Sequence, residues 1–150
     1  MDDAGLKPGP LKGLTVRPAR PGDLPACADL YVRVLRETFT WLPPERHRAA
    51  DFLRAARVEE IYVAVEGARI LGLAAFYRPQ NFIHSLYVDE RGRGIGRALL
   101  DHLAAVADGP LSLKCQAANV RAQAFYVREG FRCTETGCDN EVAWLRFVRG

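Results

Sequence analysis

The segment from Phe82 to Arg97 constrains the fold of this chain more than any other. An alternating strand pattern over 82–88 runs into a turn rich in glycine and arginine, and a helical pattern begins near Gly94. The first turn of a helix has unpaired N–H groups and the positive end of the helix dipole, so it binds anions. Glycine lets the main chain approach a phosphate closely. The segment therefore predicts a strand–loop–helix unit that binds a phosphate-bearing ligand.

Two well-known phosphate loops do not fit this segment. A mononucleotide loop needs Lys followed by Ser or Thr after its last glycine, where this chain has Arg97 and an alanine. A dinucleotide fingerprint needs a small residue at its third glycine position, and its two registers place Arg97 or Leu99 there. What remains is the pattern Arg91-x-x-Gly94-x-Gly96, directly after the strand.

A second block of residues follows a short predicted strand over 111–115. It contains Asn119, Ala122, Phe125-Tyr126 and Gly130-Phe131. The two blocks resemble, in order and separation, two signatures of the GNAT superfamily of N-acetyltransferases. The first block resembles its acyl-CoA loop, Gln/Arg-x-x-Gly-x-Gly/Ala. The second resembles its signature Asn-x-x-Ala-x-x-Phe-Tyr followed by Gly-Phe. The strand over 82–88 is most similar to a bacterial branch of that superfamily, which reads Phe-Ile-His-His-Leu-Tyr-Val.

The predicted elements follow the order β-α-α-β-β-β-α-β-α-β-β, in one N-acetyltransferase domain over 13–150 after a disordered tail over 1–12. The second helix is predicted over 45–56, and the last two strands near 131–134 and 141–147. This order favours an α/β fold of the α+β type, with a mixed, mostly antiparallel sheet and helices on both faces. The resemblance further implies that the sheet splays open after its fourth strand. The connection between Val88 and Arg91 is shorter than is usual in the family, which predicts a tighter turn.

The composition is that of a soluble globular protein and argues against several functional classes. The net charge is +3, and acidic residues are interleaved with the arginines, so no nucleic-acid partner is predicted. Neither a membrane span nor a signal peptide is recognisable, so we expect a cytoplasmic protein with no membrane partner. The cysteines are expected to be reduced, and their spacing does not predict a metal site; they are Cys27, Cys115, Cys133 and Cys138.

The resemblance implies that acetyl-CoA is the cosubstrate and lies between the fourth and fifth strands. The N–H groups of Leu86 and Val88 would bond its pantetheine and polarise the thioester carbonyl. The pyrophosphate would rest on the turn and the start of the following helix. The expected cofactor-binding residues are Leu86, Tyr87, Val88, Arg91, Gly92, Arg93, Gly94, Ile95, Gly96, Arg97, Asn119 and Tyr126. Solvated surface positions are the alternative for the arginines. Asn119 is expected to cap the following helix; a plain cap is the alternative to its cofactor role, and the two roles are compatible.

Two residues are expected to carry the chemistry. The family places a tyrosine at the position of Tyr126, near the thioester sulfur, and a phenol of pKa about 10 can protonate a departing thiolate. His84 is the expected base for the amine, because imidazole titrates near neutral pH and strand alternation puts it on the face of Leu86 and Val88. The alternatives are a half-buried helix tyrosine for Tyr126 and a packed or hydrogen-bonded core residue for His84. Cys115 is interpreted as a core residue rather than an acyl carrier, since GNAT enzymes usually transfer directly.

The acceptor pocket is expected between the segment joining the first two helices and the C-terminal hairpin. The aromatic candidates for its lining are Trp41, Tyr31, Phe39 and Tyr77, and a packing anchor is an equal alternative for Trp41. Three acidic residues near the chain end are candidates for attracting a cationic amine, although loop acids are usually only solvated; they are Glu135, Asp139 and Glu141. The sequence does not separate a polyamine, an amino acid, an antibiotic or a protein N-terminus as the acceptor.

The sequence thus favours direct acetyl transfer from acetyl-CoA to a primary amine of a small-molecule substrate. A peptide or protein acceptor is the nearest variant, but it would need an open groove, and residues 39–44 favour a closed pocket. A non-catalytic acyl-CoA-binding regulatory module is an alternative of another class, against which Tyr126 and His84 argue. A homodimer is compatible with the superfamily, in which dimers are common.

Overall fold

The computed structural model describes residues 13–89 and 93–150. In chain order, its helices and strands are β1 (Leu14–Pro18), α1 (Leu24–Thr38), α2 (Ala49–Ala55), β2 (Glu60–Glu66), β3 (Arg69–Tyr77), β4 (Phe82–Val88), α3 (Ile95–Val106), β5 (Leu111–Gln116), α4 (Val120–Arg128), β6 (Arg132–Asp139) and β7 (Val142–Arg149). The expected tail over 1–12, the tighter turn before Arg91, and the predicted cofactor residues Arg91 and Gly92 lie outside the described residues.

The order of elements agrees with the prediction, but some bounds differ. The second helix begins at Ala49 rather than near residue 45, because Pro44–Arg46 form a separate 3-10 turn and the next two residues are extended. β6 and β7 are longer than predicted, because they pair with each other along almost their whole length. Almost every residue of β6 is exposed, so its sequence has no apolar alternation that would indicate its extent.

The seven strands of the described residues form one sheet in the order β1-β2-β3-β4-β5-β7-β6. All neighbouring pairs are antiparallel except β4 and β5, which are parallel. This confirms the predicted mixed, mostly antiparallel sheet. β2 and β3 lie inside the sheet, and most of their residues are buried.

Helices cover both faces of the sheet, as predicted. α3 and α4 pack on one face, where Leu99 and Leu103 are fully buried. α1 and α2 pack on the other, where Leu30 and Phe52 are buried. Burying one such side chain contributes about 1.5–3 kcal/mol, so each helix is held chiefly by its apolar face.

β4 and β5 separate soon after they meet. Their register contains two pairs, Phe82 with Ser112 and Ile83 with Leu113. Beyond these pairs one edge of β4 has no strand beside it, while its other edge stays paired with β3 as far as Val88. The sheet therefore opens after its fourth strand, as the resemblance implies.

Candidate active site

The divergence of β4 and β5 opens a cavity of about 910 Å³. This volume lies within the range of about 300–1,000 Å³ that is usual for small-molecule sites. The cavity brings together the predicted site residues Phe39, His84, Leu86, Tyr87, Val88, Gly94, Ile95, Gly96, Arg97, Asn119 and Tyr126. The predicted residues Tyr31, Trp41, Tyr77 and Arg93 do not line it.

The N–H groups of β4 divide between its two edges. The N–H of Asp89 donates to the carbonyl oxygen of Leu71 at 2.8 Å, so it faces β3. Because successive N–H groups of a strand point to opposite edges, the N–H of Tyr87 also faces β3, and those of Leu86 and Val88 face the gap. β5 is not paired with β4 at that level. The gap thus receives two main-chain donors.

The start of α3 forms one end of the cavity. Gly94 is its N-cap and has φ +79°, a left-handed conformation that glycine adopts without steric cost. Gly96 is needed for a different reason, since a Cβ there would lie 2.9 Å from Cζ of Phe125. The N–H groups of the first helical turn have no partner within the helix, so this end of the cavity attracts an anion.

The predicted arginines of the described part differ in position. Arg97 lines the cavity, is 68% exposed at its side chain, and pairs with Glu129 at 3.1 Å. Arg93 points elsewhere, because its guanidinium bonds to Glu66 on β2 at 3.1 Å. Arg97 is therefore the predicted arginine that the structure brings to the cavity.

Two further arginines at the cavity were not singled out from the sequence. Arg121 and Arg128 of α4 both line it. They are two helical turns apart, so they lie on the same side of the helix. That spacing is a signal the sequence does contain, although it becomes meaningful only once the orientation of α4 is known.

Asn119 caps α4, as predicted, since its side-chain oxygen accepts from the N–H of Ala122 at 3.2 Å. Gln123 reinforces this turn by donating to the carbonyl oxygen of Ala117 at 2.7 Å. Asn119 also lines the cavity. The cap fixes the start of the helix that carries Tyr126.

Tyr126 combines a buried ring with a place in the cavity wall. Its ring packs against Phe131 and Phe147, with centroids 5.5 and 6.1 Å away. Burial raises the pKa of its phenol above the ordinary value, so the hydroxyl stays protonated at neutral pH. Burial likewise raises the pKa of the neighbouring Cys115 thiol to about 11. Both groups are therefore neutral in the resting site.

Tyr31 packs against a cavity residue without lining the cavity itself. Its ring lies edge-on to Tyr87 with centroids 5.6 Å apart, and it is also 5.6 Å from Phe52 of α2. Tyr87 itself lines the cavity, and burial raises the pKa of its phenol. Tyr31 thus links the helical layer to a cavity residue without reaching the cavity.

His84 is the extra residue of a β-bulge. Ser85 pairs with Ala75 and Ile83 pairs with Phe76, so the register with β3 skips His84. The bulge interrupts the two-residue alternation of the strand. The expectation that His84 shares a face with two later residues of β4 is therefore wrong, because it assumed an unbroken strand.

The imidazole of His84 meets a carboxylate that the sequence did not indicate. Its Nδ1 lies 2.8 Å from Oε2 and 3.1 Å from Oε1 of Glu59, the residue before β2. The Glu59 side chain is only 9% exposed, whereas that of His84 is 55% exposed. No sequence motif includes Glu59, so this pairing is apparent only in three dimensions.

Of the two aromatic residues after α1, one lines the cavity and the other packs against it. Phe39 lines it, and the Trp41 ring stands edge-on to Phe39 with centroids 5.1 Å apart. The indole N–H of Trp41 donates to Oε1 of Gln116, a cavity residue, at 2.9 Å. Tyr77 lies at the end of β3, is partly exposed, and is not in the cavity wall.

Two of the acidic residues near the chain end have cationic partners. Glu135 accepts from Arg146 at 2.9 Å, and Asp139 lies 3.8 Å from Lys114, which lines the cavity. These pairings lower the net negative charge that this face can offer to a cationic amine. Glu141 lies in the turn between β6 and β7 and has φ +67°.

Two other kinds of feature are absent from residues 13–89 and 93–150. No three His, Cys, Asp or Glu side chains come close enough there to hold a metal ion. None of the helices there has both the length and the apolar character needed to cross a membrane.

Solved structures with this fold come from several bacteria. YjaB of Escherichia coli, in its apo form, has a TM-score of 0.74 and 22% identity over 90% of this chain and 96% of its own. YncA of Salmonella typhimurium, solved with its cofactor acetyl-CoA, has a TM-score of 0.68 and 19% identity over 91% of this chain and 93% of its own. The ribosomal-protein-S18-alanine N-acetyltransferase of Escherichia coli has a TM-score of 0.70 and 18% identity over 91% of this chain and 92% of its own. At these identities the likeness shows the fold alone.

The family itself is shown by a sequence model. None of the curated proteins matches the chain. The model of the acetyltransferase (GNAT) family matches residues 24–131, which include both sequence blocks and every described residue that lines the cavity. The chain therefore belongs to the GNAT family of acetyltransferases, and acetyl-CoA is its acyl donor.

Proposed function

We propose that this acetyltransferase transfers the acetyl group directly to a primary amine of a small molecule. The observation that carries the proposal is the composition of the cavity between β4 and β5. Its walls include the N–H groups of Leu86 and Val88, the Tyr126 side chain and His84. One cavity thus contains a group for the carbonyl oxygen, one for the leaving sulfur and one for the amine proton.

We expect main-chain groups to hold most of the cofactor. The pyrophosphate would rest on the unpaired N–H groups at the start of α3, beside Gly94. Arg97, Arg121 and Arg128 line the same region and supply positive charge. The pantetheine would occupy the gap where β5 has left β4, and its amides would use the strand edge that is free there.

The transfer itself needs two proton movements. The neutral amine attacks the thioester carbonyl carbon, and the C–N bond forms as the carbonyl oxygen becomes negative. The N–H donors of β4 stabilise that oxygen, and losing one such donor typically costs about 10²–10³ in rate. When the C–S bond breaks, the sulfur leaves with the electron pair and takes a proton from Tyr126. His84 takes the proton that the nitrogen loses, and solvent returns a proton to the Tyr126 oxygen.

A small acceptor is favoured by the closure of the cavity after α1. The hydrogen bond from Trp41 to Gln116 ties this segment to β5, and Phe39 packs against the indole. A peptide acceptor would need an open groove along the same path. The neighbour named for ribosomal-protein alanine shares only the fold, so it does not assign a protein acceptor to this chain. A protein N-terminus is therefore the second candidate.

The proposal is tested by incubating the protein with acetyl-CoA and a panel of polyamines, amino acids, aminoglycosides and short peptides. Free thiol and product mass are both measured. We expect thiol release with stoichiometric N-acetylation of at least one small amine. Acetylation of peptides alone would overturn the small-molecule assignment. Thiol release without an acetylated amine would overturn the transfer to nitrogen.

A further inference from the structure

We propose that Glu59 is a positioning residue that holds His84 in the tautomer needed to accept the amine proton. This inference rests on the proposed function, in which His84 is the base. Both carboxylate oxygens of Glu59 lie within 3.1 Å of Nδ1 of His84. The contact joins the connection after α2 to the bulge of β4, two elements that meet only through folding.

The chemistry of the two groups determines the position of the proton. A neutral imidazole carries one N–H, and an ionised carboxylate can only accept. The proton of neutral His84 therefore lies on Nδ1, where it is donated to Glu59, and the lone pair lies on Nε2. A base with its lone pair on Nε2 is free to take a proton from a group in the cavity, which His84 lines.

The main chain fixes Glu59 in this place. Its N–H donates to the carbonyl oxygen of Ala55 at 3.2 Å, at the end of α2. The next residue, Glu60, begins β2 and binds Arg78 through its own side chain at 2.6 Å. Because Glu59 lies between these anchored residues and its side chain is nearly buried, its carboxylate does not need to be ordered when a substrate binds.

The other charged groups around His84 do not replace Glu59. Lys114 of β5 lines the same cavity, and Arg146 of β7 lies over the ring of Phe82, whose centroid is 6.4 Å from that of His84. Each of these cations has an acidic partner of its own. Tyr87 on the same strand is neutral, because burial raises the pKa of its phenol. Among the described residues, Glu59 is thus the carboxylate that directly opposes the charge of a protonated His84.

In the reaction, Glu59 affects one proton transfer, the one from the amine nitrogen to His84. As the C–N bond forms, the nitrogen loses its proton to Nε2 of His84, and the ring becomes imidazolium. Glu59 then faces a cation through the same hydrogen bond and keeps its own charge. It stabilises the imidazolium without becoming protonated itself, as a carboxylate does behind the histidine of a catalytic triad.

The tautomer is measured directly by the ¹⁵N chemical shifts of the imidazole in the free protein. The chain has three histidines, and the signals of His84 are identified by their loss in His84→Gln. We expect wild-type His84 to be protonated on Nδ1 when neutral, and Glu59→Gln to shift the population toward the Nε2–H form. The exposed Glu37→Gln on α1 is the matched control and should leave the signals unchanged. An Nε2–H tautomer in the wild type would overturn the inference, whether or not an acceptor amine has been found.

Kinetics provide the second measurement once an acceptor is known. Glu59→Gln should lower kcat at least about 10-fold, because a wrongly oriented base slows the proton transfer. The KM for acetyl-CoA should stay close to the wild-type value, since Glu59 itself does not line the cavity. An unchanged kcat would overturn the positioning role while leaving the acetyltransferase assignment intact.

Discussion

The ring of Phe125 lies so close to Gly96 that a Cβ at position 96 would come within 2.9 Å of its Cζ. The two residues belong to the two separate sequence blocks, one at the start of α3 and the other in α4. Both residues line the cavity. The second glycine of the loop motif is therefore required by packing as well as by any phosphate nearby.

Gly96→Ala should destabilise the fold. The added methyl would meet the Phe125 ring, and overpacking of this kind costs about 1–3 kcal/mol. Urea unfolding of the free protein measures the loss. Gly22→Ala is the matched control, because a Cβ there meets nothing within 4 Å. Equal midpoints for the two variants would contradict the packing role of Gly96.

Tyr126→Phe should remove the acid while keeping the aromatic core. Because only the hydroxyl is lost, we expect kcat to fall at least about 100-fold with little change in the KM for acetyl-CoA. Burial raises the pKa of Tyr126 above the ordinary tyrosine pKa of about 10. The phenol of the wild type therefore remains protonated as the pH rises toward about 10. The wild-type kcat should therefore not fall through Tyr126 between neutral pH and about pH 9. Full turnover by Tyr126→Phe would show that another group protonates the sulfur.

Cys115→Ala should retain most of the turnover. The thiol lines the cavity, but burial raises its pKa to about 11, so almost no thiolate is present at neutral pH. Mass spectrometry of the wild type with acetyl-CoA and no amine should find no acetyl group on this residue. Cys133→Ala, at an exposed position, is the control. An acetylated Cys115 that disappears when amine is added would instead establish a two-step transfer.

Trp41→Phe should weaken binding of the acceptor rather than of the cofactor. The variant loses the hydrogen bond to Gln116, and a neutral hydrogen bond contributes about 0.5–1.5 kcal/mol. Because this bond orders the segment and does not contact the amine, its free energy is an upper limit, and we expect the KM for the amine to rise by up to about 10-fold. Tyr77→Phe serves as the control, because Tyr77, like Trp41, is outside the cavity wall, whereas Trp41 is hydrogen-bonded to Gln116 of that wall. An unchanged KM for the amine in Trp41→Phe would remove this segment from the acceptor pocket.

Much of the site could be predicted because short stretches of chain determine it. Gly94 and Gly96 follow a strand and open a helix, and that order alone indicates an anion site. Asn119 precedes a helical pattern and was expected to cap it, which the structure confirms. The sheet and its opening after β4 followed from the order of elements together with the family resemblance.

Other parts of the site depend on contacts between distant segments. Glu59 is 25 residues from His84 in the chain, and no local pattern relates the two. The bulge at His84 results from the register with β3, so alternation within β4 could not indicate the direction of the imidazole. Trp41, which does not line the cavity, is joined to it through Gln116, 75 residues away in the chain. Such pairings become visible only when the strands and helices are packed.

The central claim is that acetyl-CoA lies in the gap between β4 and β5. Hydrogen exchange of single amides on β4 tests it most directly, with and without saturating acetyl-CoA and with ATP as the control nucleotide. We expect acetyl-CoA, but not ATP, to slow exchange of Leu86 and Val88 relative to Tyr87, whose N–H faces β3. The account would be contradicted if acetyl-CoA bound but the amide exchange rates of Leu86 and Val88, relative to that of Tyr87, did not change.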